Sequence, residues 1–114
     1  MSEIDPITRL HHMLDAARKA AQFAQGRTRA DVETDEMLAL ALVRLLEVVD
    51  EAANAVTEDI RKRSPQIPWK EIAGTRNRLA HGYFDVDLDI VWEIVEKDLP
   101  SLIGQLERLI SETG

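Results

Sequence analysis

Arg76, Asn77, Arg78, Leu79, Ala80, His81, Gly82 and Tyr83 follow one another near the middle of the chain. They place a fixed cation, an amide, an imidazole and a phenol within one short stretch. Arginine stays charged at any working pH and grips phosphate oxygens through a planar fork, while histidine can take or give a proton near neutrality. Together they suit the chemistry of a phosphodiester: the cation offsets charge growing on the phosphate oxygens, and the imidazole moves the proton. On an ideal helix Asn77 and His81 lie about 40° apart, whereas Arg76 and His81 differ by about 140°. Arg76 therefore reaches His81 only by curling its stem round the helix, or by meeting the histidine of a second copy across a two-fold axis. The ordinary alternative is a basic helix end, with Arg78 and His81 at the negative pole and Gly82 as the terminator.

Charge around this stretch is uneven. The chain has a formal net charge of −7, yet Arg61, Lys62, Arg63, Lys70, Arg76 and Arg78 face only Glu71 between residues 61 and 78, which leaves +5 there and −12 elsewhere. Such a patch can hold a polyanion in one place and repel it from the rest of the surface, or it can be a solvated face. The residues expected to hold such a polyanion are Arg78, Lys70, Arg61 and Arg63. Glu47 and Glu51 lie one turn apart and could bind a cation, form a salt link that positions the Arg76 segment, or be a solvated stripe. His11 and His12 point to different sides of a helix and lack a third ligand, so no metal site is expected. Trp69 and Trp92 read as packing anchors. The sequence has no glycine-rich phosphate loop, serine elbow or paired-carboxylate pattern.

The elements that must carry these residues are helical. Asp5 before Pro6 opens a first helix, in which Leu10, Met13, Leu14, Ala17, Ala20, Ala21 and Ala24 recur at helical spacing up to Gly26. The stretch from Gly26 to Glu33 reads as a loop with room for a short helical turn. A second helix is expected from Thr34 or Asp35 to about Lys62, on the period of Met37, Leu38, Ala41, Leu42, Leu45, Val48, Val49, Ala52, Ala53, Val56 and Ile60. Ser64, Pro65 and Pro68 break it, and a third helix from Pro68-Trp69 carries the Arg76 to His81 segment as far as Gly82. Asp87 caps a fourth, whose apolar stripe runs from Ile90 to Ile110 through Pro100, where a kink is expected. The fold class is thus all-α, an antiparallel bundle of four main helices with a kinked last helix.

A chain of 114 residues suits one domain, spanning residues 1–114, with one modest core. Its composition is 45% hydrophobic, 31% charged and 4% aromatic, and its apolar runs are too short to span a bilayer. Residues Met1 to Pro6 lack a basic stretch followed by an apolar one, so no secretory signal is expected and the expected location is cytoplasmic. The absence of cysteine excludes disulfides, thiolate metal sites and cysteine nucleophiles.

The order Arg76-x-x-x-x-His81-x-Tyr83 resembles the signature of the HEPN superfamily, specifically the HepT-like toxins encoded beside a minimal nucleotidyltransferase antitoxin. The resemblance extends to Pro68-Trp69, to Phe84, to Asp87 through Trp92, to Leu99-Pro100 and to the run from Leu46 to Ala53, and covers residues 9 to 110. One departure is Asp50, where the family commonly has glycine. The resemblance implies an endoribonuclease toxin of a type VII toxin–antitoxin system that needs no metal or other cofactor. It works as a homodimer on RNA rather than DNA. Arg76 and His81 are then catalytic, Asn77 assists, and Tyr83 accepts adenylyl groups from the nucleotidyltransferase, which silences the toxin. The alternative is a non-catalytic HEPN module that binds nucleotide or substrate for a partner nucleotidyltransferase. A purely structural dimerisation bundle is a further rival.

Overall fold

The computed structural model describes residues 5–79 and 86–113. Among them the chain forms eight α-helical segments and one π-helical segment: α1 (Pro6–Ala24), α2 (Arg29–Thr34), α3 (Glu36–Asn54), α4 (Glu58–Arg61), α5 (Trp69–Ile72), α6 (Thr75–Leu79), α7 (Leu88–Glu93), the π segment (Ile94–Asp98) and α8 (Leu99–Thr113). The all-α bundle expected from the apolar periods is present. No described helix is long and apolar enough to cross a membrane.

Three long elements build the core. Leu10, Met13 and Ala17 of α1, Leu42 and Leu46 of α3, and Leu99, Leu106 and Leu109 of α8 are fully buried. Truncating one such leucine to alanine costs about 2–5 kcal/mol, a large part of the stability of a small domain. Arg18 pairs with Glu107, whereas Ala21 and Ala24 share a groove with Val95, Pro100 and Ile103. Helices α1 and α8 therefore run antiparallel.

The sequence period misses several boundaries, each for a local reason. The segment read as a loop with room for a short helical turn holds the six-residue α2, which is nucleated by reciprocal capping: Thr28 Oγ1 accepts from the Asp31 amide at 3.4 Å, and Asp31 Oδ2 accepts from the Thr28 amide at 2.7 Å. Gly26, at φ 74°, makes the reversal before it. The expected second helix stops at Asn54, because Thr57 adopts an extended conformation and opens α4, although Val56 and Ile60 stay buried in phase. Met37, expected on the apolar period, is 82% exposed, while its neighbour Leu38 is buried.

The expected third helix is two short ones, α5 and α6, separated at Ala73 and Gly74. The terminator expected at Gly82 lies outside the described residues. Asp87 caps α7 as expected, accepting from the Asp89 and Ile90 amides. The kink expected at Pro100 takes the form of the π segment just before it. Leu99 donates its amide to the Ile94 carbonyl five residues back, so the ladder is already widened where proline can offer no donor.

The α1–α2–α3 corner is held by Arg27, which donates to Asp35 at 2.8 Å and lies 3.5 Å from Asp31. The Arg27 hydrogen bond holds the Asp35 carboxyl below its ordinary range, and the Thr28 amide does the same for Asp31. A lowered folded-state pKa contributes stability above the unfolded value and loses it as pH falls through the folded one. The corner is therefore expected to be tight at pH 7 and to loosen below about pH 4. Protection factors of the Asp31, Asp35 and Leu38 amides, compared with those in α8, measure this. Protection that persists unchanged to about pH 2 would show that the corner does not depend on these carboxylates.

Candidate active site

The site begins with a carboxylate in the wrong place for a core. Asp50 falls one turn after Leu46 on the buried face of α3 and is only 3% exposed. A buried charge needs donors, and Asp50 has two. Its Oδ2 accepts from the Arg76 main-chain amide at 2.8 Å, and its Oδ1 accepts from Asn54 Nδ2. The Asn54 amide also lies 3.3 Å from the Ala73 carbonyl, so α3 holds both the end of α5 and the start of α6. Thr75, itself buried, donates its hydroxyl to the Ile72 carbonyl at 2.8 Å. The short helix that carries Arg76 is thus fastened by side chains rather than by its own length, since one turn has little cooperative stability.

An open cleft of about 470 Å³ lies over this junction, lined by Glu47, Asp50, Asn54, Ala73, Arg76 and Asn77. The Arg76 side chain is 60% exposed and comes within 4.0 Å of Glu51, which is itself 3.4 Å from Arg44. An exposed pair at that distance is worth about 0–1 kcal/mol, too little to withhold the guanidinium from a phosphate. Of the readings open for the two glutamates, Glu51 makes the salt link to Arg76 and Glu47 lines the cleft beside it. No group of three or more histidine, aspartate or glutamate side chains that could hold a metal occurs among the described residues.

The cations of the basic stretch do not share one surface. Arg76 and Asn77 meet in the cleft, while Arg78 lines a separate groove of about 300 Å³ with Leu46, Val49, Ile72 and Lys97. Arg63 and Lys70 are exposed. Arg61 is held inside the fold: it donates to the Ala53 carbonyl at 2.8 Å and its guanidinium lies 5.7 Å from the centre of the Trp69 ring. Trp69 is the expected packing anchor, buried with its indole N–H donating to the Ser64 carbonyl at 3.0 Å.

His81 and Tyr83 lie outside the described residues. The described chain on either side of them is joined, since the Asp87 amide donates to the Leu79 carbonyl at 2.9 Å. Asp50 and Asn54 were not among the expected site residues. Their signal was available: an aspartate in phase with Leu42, Leu46 and Ala53, followed one turn later by an asparagine.

Residues 13–109 match the family described as ribonuclease HepT-like. The chain is 33% identical over 107 residues to the Methanocaldococcus jannaschii protein named "Putative RNase MJ1380", covering 94% of this chain and 98% of that one. It is 34% identical over 100 residues to the "Probable ribonuclease HepT" of Thermococcus cleftensis, covering 88% and 91%. No solved structure matches it. The chain belongs to the ribonuclease HepT-like family of the HEPN superfamily.

Proposed function

We propose that this chain is a metal-independent endoribonuclease toxin of a type VII toxin–antitoxin pair, acting on RNA as a homodimer. The observation that carries the reading is Arg76 at the cleft: its backbone is fixed by a buried carboxylate while its guanidinium stays exposed beside Asn77. That combination suits a group that must meet a phosphate without moving far. The names of the relatives, both ribonucleases, support the same substrate.

In this reading the 2′-oxygen of one ribose attacks the adjacent phosphorus and the bond to the 5′-oxygen breaks. One His81 takes the hydroxyl proton, and His81 of the second copy protonates the leaving oxygen. Arg76 offsets the charge on the non-bridging oxygens, and Asn77 donates to the phosphate or orients the imidazole. Arg78, Lys70 and Arg63 guide the strand.

A two-fold partner is supported by α3. Met37 and Leu40 are 82% and 63% exposed, and helical spacing continues them through Arg44 to Glu47, which lines the cleft, and Glu51, which pairs with Arg76. Two exposed apolar side chains on the helix that lines the site can draw a second copy onto that helix. The remaining member of the system is a minimal nucleotidyltransferase, which adenylylates Tyr83.

RNA incubated with the purified chain in excess EDTA should be cleaved as fast as without it. Loss of cleavage in EDTA, restored by a divalent ion, would replace this mechanism with a metal-assisted one. A folded, homogeneous protein that cleaves no RNA would remove the catalytic reading.

A further inference from the structure

We infer that Asp50 is a positioning residue for the reaction, acting through the main chain of Arg76 rather than on the RNA. The inference rests on the ribonuclease reading above and concerns what aims its arginine. Three observations converge on Asp50. It is buried to 3% exposure inside an otherwise apolar helix face, its Oδ2 is 2.8 Å from the Arg76 amide, and its Oδ1 accepts from Asn54, which also reaches the Ala73 carbonyl.

Burying a carboxylate is costly unless its lone pairs are met, and both oxygens here are met by groups of the cleft wall. The contact crosses from α3 to α6, between residues far apart in sequence, so it fixes the rotation of a one-turn helix that could not fix its own. That rotation sends Arg76 and Asn77 into the cleft while Arg78 lies in the neighbouring groove. Asp50 also lines the cleft, but both of its carboxylate oxygens are taken by donors of the protein, so its part is played through the main chain of Arg76.

Asp50→Ala should leave a folded protein in which kcat for RNA cleavage falls about 100-fold while KM changes less than about threefold, because misaimed catalytic groups cost rate more than binding. Asp50→Asn can still accept from the Arg76 amide, but its own amide then faces Asn54. It should recover part of the loss, to about tenfold below wild type. Asn54→Ala, on an exposed side chain, should lower kcat by a smaller factor in the same direction.

A second measurement is independent of activity: exchange of the Arg76 amide in Asp50→Ala should quicken by at least about tenfold relative to the amides of α1 and α8. If Asp50→Ala fails to melt cooperatively, Asp50→Asn and Asn54→Ala carry the test. Unchanged kcat in those variants, or Arg76 exchange as slow as in wild type, would overturn the inference. If the wild-type protein cleaves no RNA, the ribonuclease reading fails and with it the kinetic arm. The exchange rate of Arg76 then decides alone whether Asp50 holds the segment.

Discussion

His81→Ala should reduce RNA cleavage by at least about 10²–10⁴-fold while leaving the melting temperature within a degree or two of wild type, since a histidine that moves protons contributes that much to rate. Stability is expected to rest on the buried leucines of α1, α3 and α8, which the substitution leaves in place. Arg76→Ala should fall comparably in kcat, through loss of charge stabilisation at the phosphate. Arg78→Ala should instead raise KM, because Arg78 points into a different groove from Arg76 and Asn77. Single-turnover and steady-state kinetics on one RNA separate these effects. Equal loss of kcat in Arg78→Ala and Arg76→Ala would mean that the reacting phosphate lies elsewhere on the basic stretch. Dilution adds a test of the composite site: activity per chain should drop below the dimer dissociation constant. A constant activity per chain through dissociation would place a complete site within one copy.

The fold was legible where apolar side chains recur over many turns, and illegible where one or two polar groups decide the path. Leu10, Met13 and Ala17, or Leu102, Leu106 and Leu109, declare a buried stripe through several repeats of the same period. Helix α2 exists because Thr28 and Asp31 cap each other and Val32 is buried, a signal of three residues inside a polar stretch. The same limit applies between Asn54 and Glu58. There the apolar phase runs on through Val56 and Ile60 while the backbone departs from it at Thr57, so periodicity alone reports one helix where there are two. Proline at position 100 announced a disturbance, but the widened turn that absorbs it depends on the Leu99 to Ile94 bond.

The candidate site was legible in its chemistry and less so in its support. Arg76 and Asn77 are singled out by residue type and spacing only together with the family resemblance, and both line the cleft. Grouping Arg61 with the RNA-binding cations followed from charge alone. Its bond to the Ala53 carbonyl and its place over Trp69 are tertiary contacts that no local pattern encodes. Asp50 stands out in the sequence only as a departure from the glycine common in the family. In the fold α3 meets α6 through that side chain, from carboxylate to main-chain amide.

Incubation with the cognate nucleotidyltransferase and ATP should add the mass of one or more adenylyl groups to Tyr83 and stop cleavage. In the transfer the phenolic oxygen attacks the α-phosphorus, the bond to pyrophosphate breaks, and the phenolic proton is lost to solvent or a base of the partner. Tyr83 is the chain's only tyrosine, so Tyr83→Phe removes the one phenolic acceptor and keeps the ring. Each added phosphate brings negative charge close to His81 in sequence, where it would repel an RNA backbone as well as obstruct it. The Phe variant should therefore cleave RNA like wild type, take up no label, and remain toxic to cells that carry the antitoxin. Intact-protein and peptide mass spectrometry read the label, and growth with and without the antitoxin reads the consequence. Undiminished labelling of Tyr83→Phe would move the acceptor to a serine or threonine. Full neutralisation with no added mass would mean that the partner acts by covering the cleft of Arg76 and Asn77, and the transfer chemistry would have no part in control.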